Sequence, residues 1–319
     1  MLRGLDGFVG QNLSLLVKIE DAWQPSDFLP DFSKEDWETP LKTLREAAKN
    51  LDDGILVVLV GGMVTEEALP SYSMALQGIT GDRTGTSTAP WAAWTRGWTA
   101  EENRHGDLLS AYLRLTGRVD MRAIEVTINH LLNSGFDPNA TTDPYHSLIY
   151  TSFQERATRI SHQNVGKIAS KQGDTALSRI CNRIAGDEAR HETFYTKVMG
   201  EVFDQHPDGA VISFAGMMRK MIVMPGKEMF DGKDPDLFEH FSAVAQRMGV
   251  YTVDDYGQII SHLLERWRVG SRALSGAAAQ AQDYLCRQAE RYTKLAERVR
   301  KTLVTQPTIE FAWLNNRTA

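Results

Sequence analysis

The chain has 319 residues, of which 42% are hydrophobic and 24% are charged, a composition typical of a globular protein with a sizeable core. Its 35 basic and 41 acidic side chains give a net charge of −6, which argues against a nucleic-acid partner. The two cysteines, Cys181 and Cys286, form no C-x-x-C pair, so we expect neither a disulfide framework nor a thiolate metal site.

The apolar pattern predicts no membrane span. The longest apolar run is Ile55–Val64, whereas a spanning helix needs about 20 apolar residues. The first residues lack the charged-then-apolar layout of a secretory signal, and no long Ser/Arg-rich targeting stretch is visible.

The hydrophobic periodicity predicts an all-α protein in a single domain, 1–319. Residues 1–40 are predicted to form an N-terminal arm, because two prolines within 23–30 favour extended or turned backbone. Helical spacing begins near Thr39, and residues 303–319 are predicted to form a C-terminal extension. The helices between them are predicted at 56–76, 91–115, 121–134, 145–172, 175–203, 209–222, 236–248, 253–269 and 270–302.

Two Glu-x-x-His motifs are the chemical signal in this sequence. They are Glu102–His105 and Glu188–His191, each within a predicted helix. Three helical positions turn the chain by about 300°, so both side chains of a motif face the same way and can reach one ion. A carboxylate and an imidazole together suit iron and similar cations. One such motif is a common coincidence, but two on separate helices indicate a metal site.

Each motif is preceded by a further glutamate on an earlier helix, Glu66 and Glu155. Four carboxylates and two histidines are the ligand set of ferritin-like di-iron four-helix bundles, so we predict that fold, elaborated with additional helices. Neighbouring acids leave open which side chain of each pair binds metal, since Glu67, Glu101 and Glu192 each lie one position from a proposed ligand. We favour Glu102 over Glu101 because it repeats the spacing of the second motif.

Two other residues lie near the motifs in the sequence. Asp187 precedes Glu188 and is a candidate to orient a ligand imidazole. His162 shares the helical face of Glu155, but we expect it to be a structural histidine.

At these motifs the chain resembles the soluble plant-type acyl-[acyl-carrier-protein] desaturases, the stearoyl-ACP 9-desaturase family. The resemblance covers about 300 residues in one order. It includes WQPSDFLP at 23–30, TEEALP at 65–70, WTAEENRHGDLL at 98–109, YTSFQERAT at 150–158, DEARHET at 187–193, FAGMMRK at 214–220, FSAVAQRMGVY at 241–251 and AQDY at 281–284.

The resemblance implies a set of site residues. It selects Glu66 over Glu67 as the metal ligand. It implies electron transfer through Trp23, His105 and Asp187. It also places Thr158 beside the oxygen-binding side of the metal cluster. The implied metal ligands are Glu66, Glu102, His105, Glu155, Glu188 and His191.

The resemblance also implies an activity: O2-dependent desaturation of a fatty acyl chain on acyl carrier protein, with two iron ions per chain and electrons from a [2Fe–2S] ferredoxin. It implies a homodimer in the plastid stroma, with a bacterial cytoplasm as the alternative. Within the family pattern, Ser147-Leu148 replaces a Gly-Phe pair and Ala75 replaces a Met, which leaves the chain-length preference and the position of the double bond open. The candidate walls of the acyl slot are Met74, Ala75, Ile79, Leu148 and Phe153.

An acidic carrier protein needs a local basic surface on a chain of net charge −6. Two groups of basic residues are candidates, with solvated helix faces as the alternative interpretation. One contains Arg287, Arg291, Lys294, Arg298, Arg300 and Lys301, and the other contains Arg219, Lys220 and Lys227.

Two other functions remain compatible with the same ligands. One is a di-iron hydroxylase or oxidase, which only its product would separate from a desaturase. The other is a non-enzymatic iron-binding bundle, which would need neither Trp23 nor an apolar slot.

Overall fold

The computed structural model describes residues 2–80, 84–136, 143–303 and 308–319. These residues are predominantly helical, which confirms the all-α prediction. The α-helices in chain order are α1 (Asp6–Asn12), α2 (Glu38–Ala48), α3 (Asp53–Glu67), α4 (Leu69–Thr80), α5 (Pro90–Thr116), α6 (Met121–Ser134), α7 (Pro144–Lys171), α8 (Thr175–Gln205), α9 (Pro207–Lys220), α10 (Leu237–Met248), α11 (Val253–Arg266), α12 (Gly276–Cys286) and α13 (Gln288–Leu303).

Four helices form the central bundle. α7 packs along α8, α3 packs against α5, and the contacts of α5 with α8 and of α3 with α7 close the bundle. α3 is apolar almost throughout and is buried on all sides, as a core helix is. Gly61 allows α10 to pack against it, because a Cβ at Gly61 would lie 2.2 Å from the ring of Phe241.

The start of α8 is tied to α5 by a buried carboxylate. Asp174 caps α8 by accepting a hydrogen bond from the backbone N–H of Leu177, at 2.8 Å. The hydroxyl of Tyr112 on α5 donates to the other oxygen of Asp174, at 2.5 Å. These bonds link α5 and α8, the two helices that carry the Glu-x-x-His motifs.

The prediction of one continuous helix at 56–76 is wrong, because the structure has two helices there. α3 ends at Glu67 and α4 begins at Leu69. Pro70 explains the break, since it has no N–H to donate to the carbonyl of Glu66 and its ring would clash with that carbonyl in a continuous helix. The break follows directly after a predicted metal ligand.

The predicted helix at 270–302 is also divided. A 3-10 turn, Val269–Ser271, precedes α12, and α13 begins separately at Gln288. Arg268 has a left-handed backbone, with φ of 53°, which ends the regular helix before this turn. α12 then packs on α9, and α13 packs on α11.

The N-terminal arm is more regular than predicted, because it contains the short helix α1 and several 3-10 turns. It lies against α5, where the indole of Trp91 donates to the carbonyl of Leu2 at 3.1 Å. At the other terminus, strands β1 (Glu310–Phe311) and β2 (Arg317–Thr318) pair antiparallel.

Among the described residues, the helical stretch Asp53–Gly78 is the one that is long and apolar enough to cross a membrane, but 78% of its most apolar part is buried inside the protein. That burial is the behaviour of a core helix.

Candidate metal centre

The six predicted ligands converge in the interior of the bundle. One comes from the end of α3, two from α5, one from α7 and two from α8, and all six side chains are buried. They are Glu66, Glu102, His105, Glu155, Glu188 and His191.

Glu102 and Glu188 each face both histidines. The two carboxylate oxygens of Glu102 lie 3.2 Å from Nδ1 of His105 and 2.7 Å from Nδ1 of His191. Those of Glu188 lie 3.5 Å and 3.9 Å from the same two nitrogens. Both glutamates are therefore placed to bridge two metal positions.

The other two glutamates each approach one histidine. Glu66 lies 4.0 Å from Nδ1 of His105, and Glu155 lies 3.5 Å from Nδ1 of His191. Two groups of ligand atoms result, each with all its atoms within 4.8 Å of one another. The groups are Glu66, Glu102, His105 and Glu188, and Glu102, Glu155, Glu188 and His191.

Unsatisfied polar atoms indicate that these groups fit cations. Nδ1 of His105, Nδ1 of His191, Oε1 of Glu102 and Oε1 of Glu188 are all buried without a hydrogen-bond partner among the described residues. Such atoms are costly in a protein interior. Oε1 of Glu102 and Nδ1 of His191 lie 2.7 Å apart but lack hydrogen-bond geometry. Lone pairs that face each other in this way suit a shared positive ion.

Electrostatics supports the same conclusion. Burial raises the pKa of Glu66 and of Glu155, and the neighbouring carboxylates of Glu102 and Glu188 raise both further. Burial alone would lower the pKa of His105, but the carboxylates around it, Glu102 foremost, raise it well above its usual value. The pocket therefore holds an excess of negative charge that two divalent cations would balance.

On the outer side of His105 lies a hydrogen-bonded chain to Trp23. Nε2 of His105 lies 3.4 Å from Oδ2 of Asp187, and the indole N–H of Trp23 donates to the same oxygen at 2.8 Å. The rings of Trp23 and His105 are nearly parallel, at 3° with centroids 6.1 Å apart. The three residues predicted for electron transfer are thus brought together.

His191 has an equivalent partner in Glu101, which the sequence offered only as an alternative ligand. Nε2 of His191 lies 2.9 Å from Oε2 of Glu101. The other oxygen of Glu101 accepts from the backbone N–H of Val17 in the N-terminal arm, at 2.7 Å. Glu101 therefore faces away from the metal positions. Each acid that precedes a motif contacts the histidine of the other motif, a pairing between helices that helical spacing cannot predict.

His162 is closer to the site than expected. Its Nε2 lies 3.0 Å from Oε1 of Glu66, so it contacts a predicted ligand. This hydrogen bond fits the prediction of a structural histidine and also places its imidazole directly behind a predicted ligand, on the helical face that it shares with Glu155.

Two apolar cavities border the centre. The front cavity, of about 330 Å³, lies among α3, α7, α10, α11 and α13, and Val58, Phe241 and Tyr292 are among its walls. The rear cavity, of about 80 Å³, lies among α4, α5 and α7. Both are lined by Glu66 and Thr158. The hydroxyl of Thr158 itself bonds back to the carbonyl of Gln154, at 3.0 Å.

The residues predicted to form the walls of the acyl slot do not all line the same cavity. Ala75 lines the rear cavity. Met74 is 71% exposed and does not line either cavity, because α4 turns Ala75 inward and Met74 outward. Leu148 borders a small void of about 20 Å³ beyond the rear cavity, and Phe153 is buried against Tyr256. The side chain of Ile79 lies outside the described residues.

Comparisons with known proteins show the family to which the chain belongs. A family model described as fatty acid desaturase matches residues 1–315. The chloroplastic acyl-[acyl-carrier-protein] desaturase of Cucumis sativus is 51% identical over 321 residues, which cover 99% of this chain and 81% of that protein. The chloroplastic stearoyl-[acyl-carrier-protein] 9-desaturase of Ricinus communis is 50% identical with the same coverage.

A solved structure from Mycobacterium tuberculosis, described as a candidate acyl-ACP desaturase, DesA2, has a TM-score of 0.59 to this chain. It is 20% identical and covers 87% of this chain and 97% of its own, so the likeness bears on the fold and confirms the predicted class. The extent of the family match and the identity to these relatives show that the chain belongs to the fatty acid desaturase family of oxidoreductases.

Proposed function

We propose that this protein desaturates a saturated fatty acyl chain carried on acyl carrier protein, converting stearoyl-ACP to oleoyl-ACP at the 9-position. One observation carries the proposal: a buried ligand set for two metals borders two apolar cavities that share Glu66 and Thr158. The names of the relatives, which act on acyl chains bound to acyl carrier protein, support this substrate class.

The metals in this proposal are two iron ions per chain, because mixed carboxylate and imidazole ligands suit iron. When bound, they would activate O2 for the oxidation of an unactivated methylene C–H bond, which side-chain acid–base chemistry cannot achieve. The overall reaction removes two hydrogens from neighbouring carbons. With two external electrons and two protons, O2 then forms two molecules of water.

The chain's own residues hold the substrate and exclude water. The walls of the front cavity are mostly apolar, and the alkyl chain would displace water from them. The rear cavity extends past Thr158 toward Ala75 and Leu76 and would take the methyl end. The methylene groups that react would then lie between the cavities, beside the metal ligands.

The mouth of the front cavity suits an acidic carrier. Met221 and Leu295, both exposed, lie at its rim. Arg219 and Lys220 directly precede Met221 and are exposed. On the other side of the mouth, an exposed basic stripe follows one face of α13 at helical spacing. This α13 stripe consists of Arg287, which directly precedes α13, and of Arg291, Lys294 and Arg298 on the helix itself.

The electrons come from a protein partner, a [2Fe–2S] ferredoxin, since the sequence has no dinucleotide-binding fingerprint of its own. Trp23, stacked on His105 and bonded to Asp187, is the proposed entry point. The protein acts as a homodimer in the plastid stroma. The chloroplastic names of its relatives support the plastid over a bacterial cytoplasm.

The deciding experiment incubates the iron-loaded protein with reduced ferredoxin, O2 and stearoyl-ACP and analyses the acyl product by mass spectrometry. We expect a monounsaturated 18-carbon chain with its double bond at the 9-position. A hydroxylated product would instead indicate a related di-iron hydroxylase. An unchanged acyl chain on a protein that holds its iron would refute the proposal and favour an iron-binding bundle.

A further inference from the structure

Arg190 makes three contacts on the outer side of the metal centre. Its NH2 nitrogen donates to Oε2 of Glu101 at 2.9 Å and to Oδ1 of Asp187 at 2.7 Å. Its NH1 nitrogen donates to the carbonyl of Leu15 in the N-terminal arm at 2.6 Å. One guanidinium thus connects α5, α8 and the arm.

The two carboxylates that it connects are the partners of the two ligand histidines. Asp187 faces Nε2 of His105, and Glu101 faces Nε2 of His191. A carboxylate at Nε2 keeps the proton on that nitrogen, so the lone pair of Nδ1 is available to a metal. In both histidines Nδ1 is the nitrogen that faces the ligand carboxylates.

We propose that Arg190 is a shared positioning residue, which orients both ligand histidines at once through Glu101 and Asp187. The inference rests on the metal centre of the proposed function. Its consequence is that the two metal positions are not independent, because one side chain outside the ligand set supports a histidine at each.

Charge supports this role. Glu101 and Asp187 are nearly inaccessible, with side chains about 4% exposed, and they add two negative charges to the four ligand carboxylates. Arg190 offsets this charge by direct contact with both, whereas Arg104 approaches only Asp187, at 3.9 Å. Removal of Arg190 would leave two buried carboxylates short of a partner. A lysine would keep the charge but lacks the planar fork that reaches three acceptors.

The test titrates metal-free protein with Fe2+ alone, under anaerobic conditions, by isothermal calorimetry. Arg190→Gln should weaken both binding events, each by about 10–100-fold. Glu101→Gln should weaken chiefly the binding of the ion beside His191, and Asp187→Asn should weaken chiefly the binding of the ion beside His105. The matched control is Arg183→Gln, which removes an exposed arginine from the same helix and should leave both events unchanged.

A second readout separates positioning from a general effect on folding. Co2+ absorption spectra report ligand geometry, and Arg190→Gln should change the bands of both ions while Arg190→Lys restores them partly. Wild-type affinity for both ions in Arg190→Gln, or weakening of only one, would overturn the proposal.

If Arg190→Gln does not fold, Arg190→Lys decides the question. Weakening of both events supports the shared role, and unchanged affinity at either refutes it. Failure of the wild-type protein to bind two Fe2+ ions would instead count against the proposed centre as a whole. Because the readout is metal binding, an absent desaturase product would not bear on Arg190.

Discussion

Glu102 and Glu188 differ from the other predicted ligands because each faces both histidines. We expect Glu188→Ala to lose both iron ions, since each position loses a ligand and both neighbouring imidazoles lose a carboxylate. Glu66→Ala and Glu155→Ala should each lose about one of the two ions. Iron analysis after desalting measures the difference.

The matched control for this series is Glu67→Ala, which tests the register of the Glu66–Glu67 pair. Glu67 is only partly buried and belongs to neither ligand group, so its removal should leave about two ions per chain. If Glu67→Ala loses iron while Glu66→Ala keeps it, the ligand assignment on α3 is off by one residue.

Trp23 can be tested separately from the metals. Trp23→Phe keeps an aromatic ring beside His105 but removes the N–H that donates to Asp187. We expect iron content near that of the wild type and slower reduction by ferredoxin in stopped-flow absorption. Trp313→Phe, at a buried indole that bonds to Thr127, is the control and should leave the reduction rate unchanged. An unaffected rate in Trp23→Phe would remove Trp23 from the electron path.

At the scale of elements, α4 offers a matched pair of positions for the rear cavity. Ala75 lines that cavity, while Met74 beside it is exposed. Ala75→Phe should fill the space for the methyl end and shift the preference from 18-carbon toward 16-carbon acyl-ACP, since each buried methylene contributes about 0.8 kcal/mol. Met74→Phe should leave the ratio of kcat/KM values unchanged. Equal effects of the two variants would contradict the assigned position of the methyl end.

The α13 stripe is the testable part of the carrier surface. Arg291→Glu combined with Arg298→Glu places negative charge beside the exposed Leu295 at the cavity mouth. We expect KM for acyl-ACP to rise about tenfold with kcat nearly unchanged, because charges at an interface rim act mainly on association. Arg122→Glu on α6, away from the front cavity, is the control. If KM for acyl-ACP does not change, the α13 stripe is a solvated helix face and not a binding surface for the carrier.

At the scale of the whole molecule, the metals should stabilise the bundle. Four helices bring ligand carboxylates together in its interior, and without cations those charges repel. Ligand binding to the native state adds about 4 kcal/mol when free metal is at 1,000 times its Kd. We therefore expect chelation to lower the thermal midpoint by several degrees in scanning calorimetry, with little effect on Glu188→Ala, which has no metals to lose. Identical midpoints with and without chelator would contradict a structural role for the metals.

The sequence by itself determined the fold class and was enough to predict the candidate ligands. A Glu-x-x-His motif is a local property, because helical geometry sets the direction of both side chains within one turn. The helical periodicity that predicts the bundle is equally local, and the family strings extend across 300 residues of the chain. Pro70 was also visible in the sequence, although the break that it causes after Glu66 was not predicted.

Only the tertiary structure decided what lies around the ligands. Glu101 contacts a histidine on another helix, Arg190 joins residues of three elements, and His162 meets Glu66 across the bundle. Spacing along one helix carries no information about such partners, because they depend on how helices are placed against each other. Likewise, the sequence offered both Met74 and Ala75 as candidate cavity walls, and the packing of α4 turned only Ala75 toward the interior.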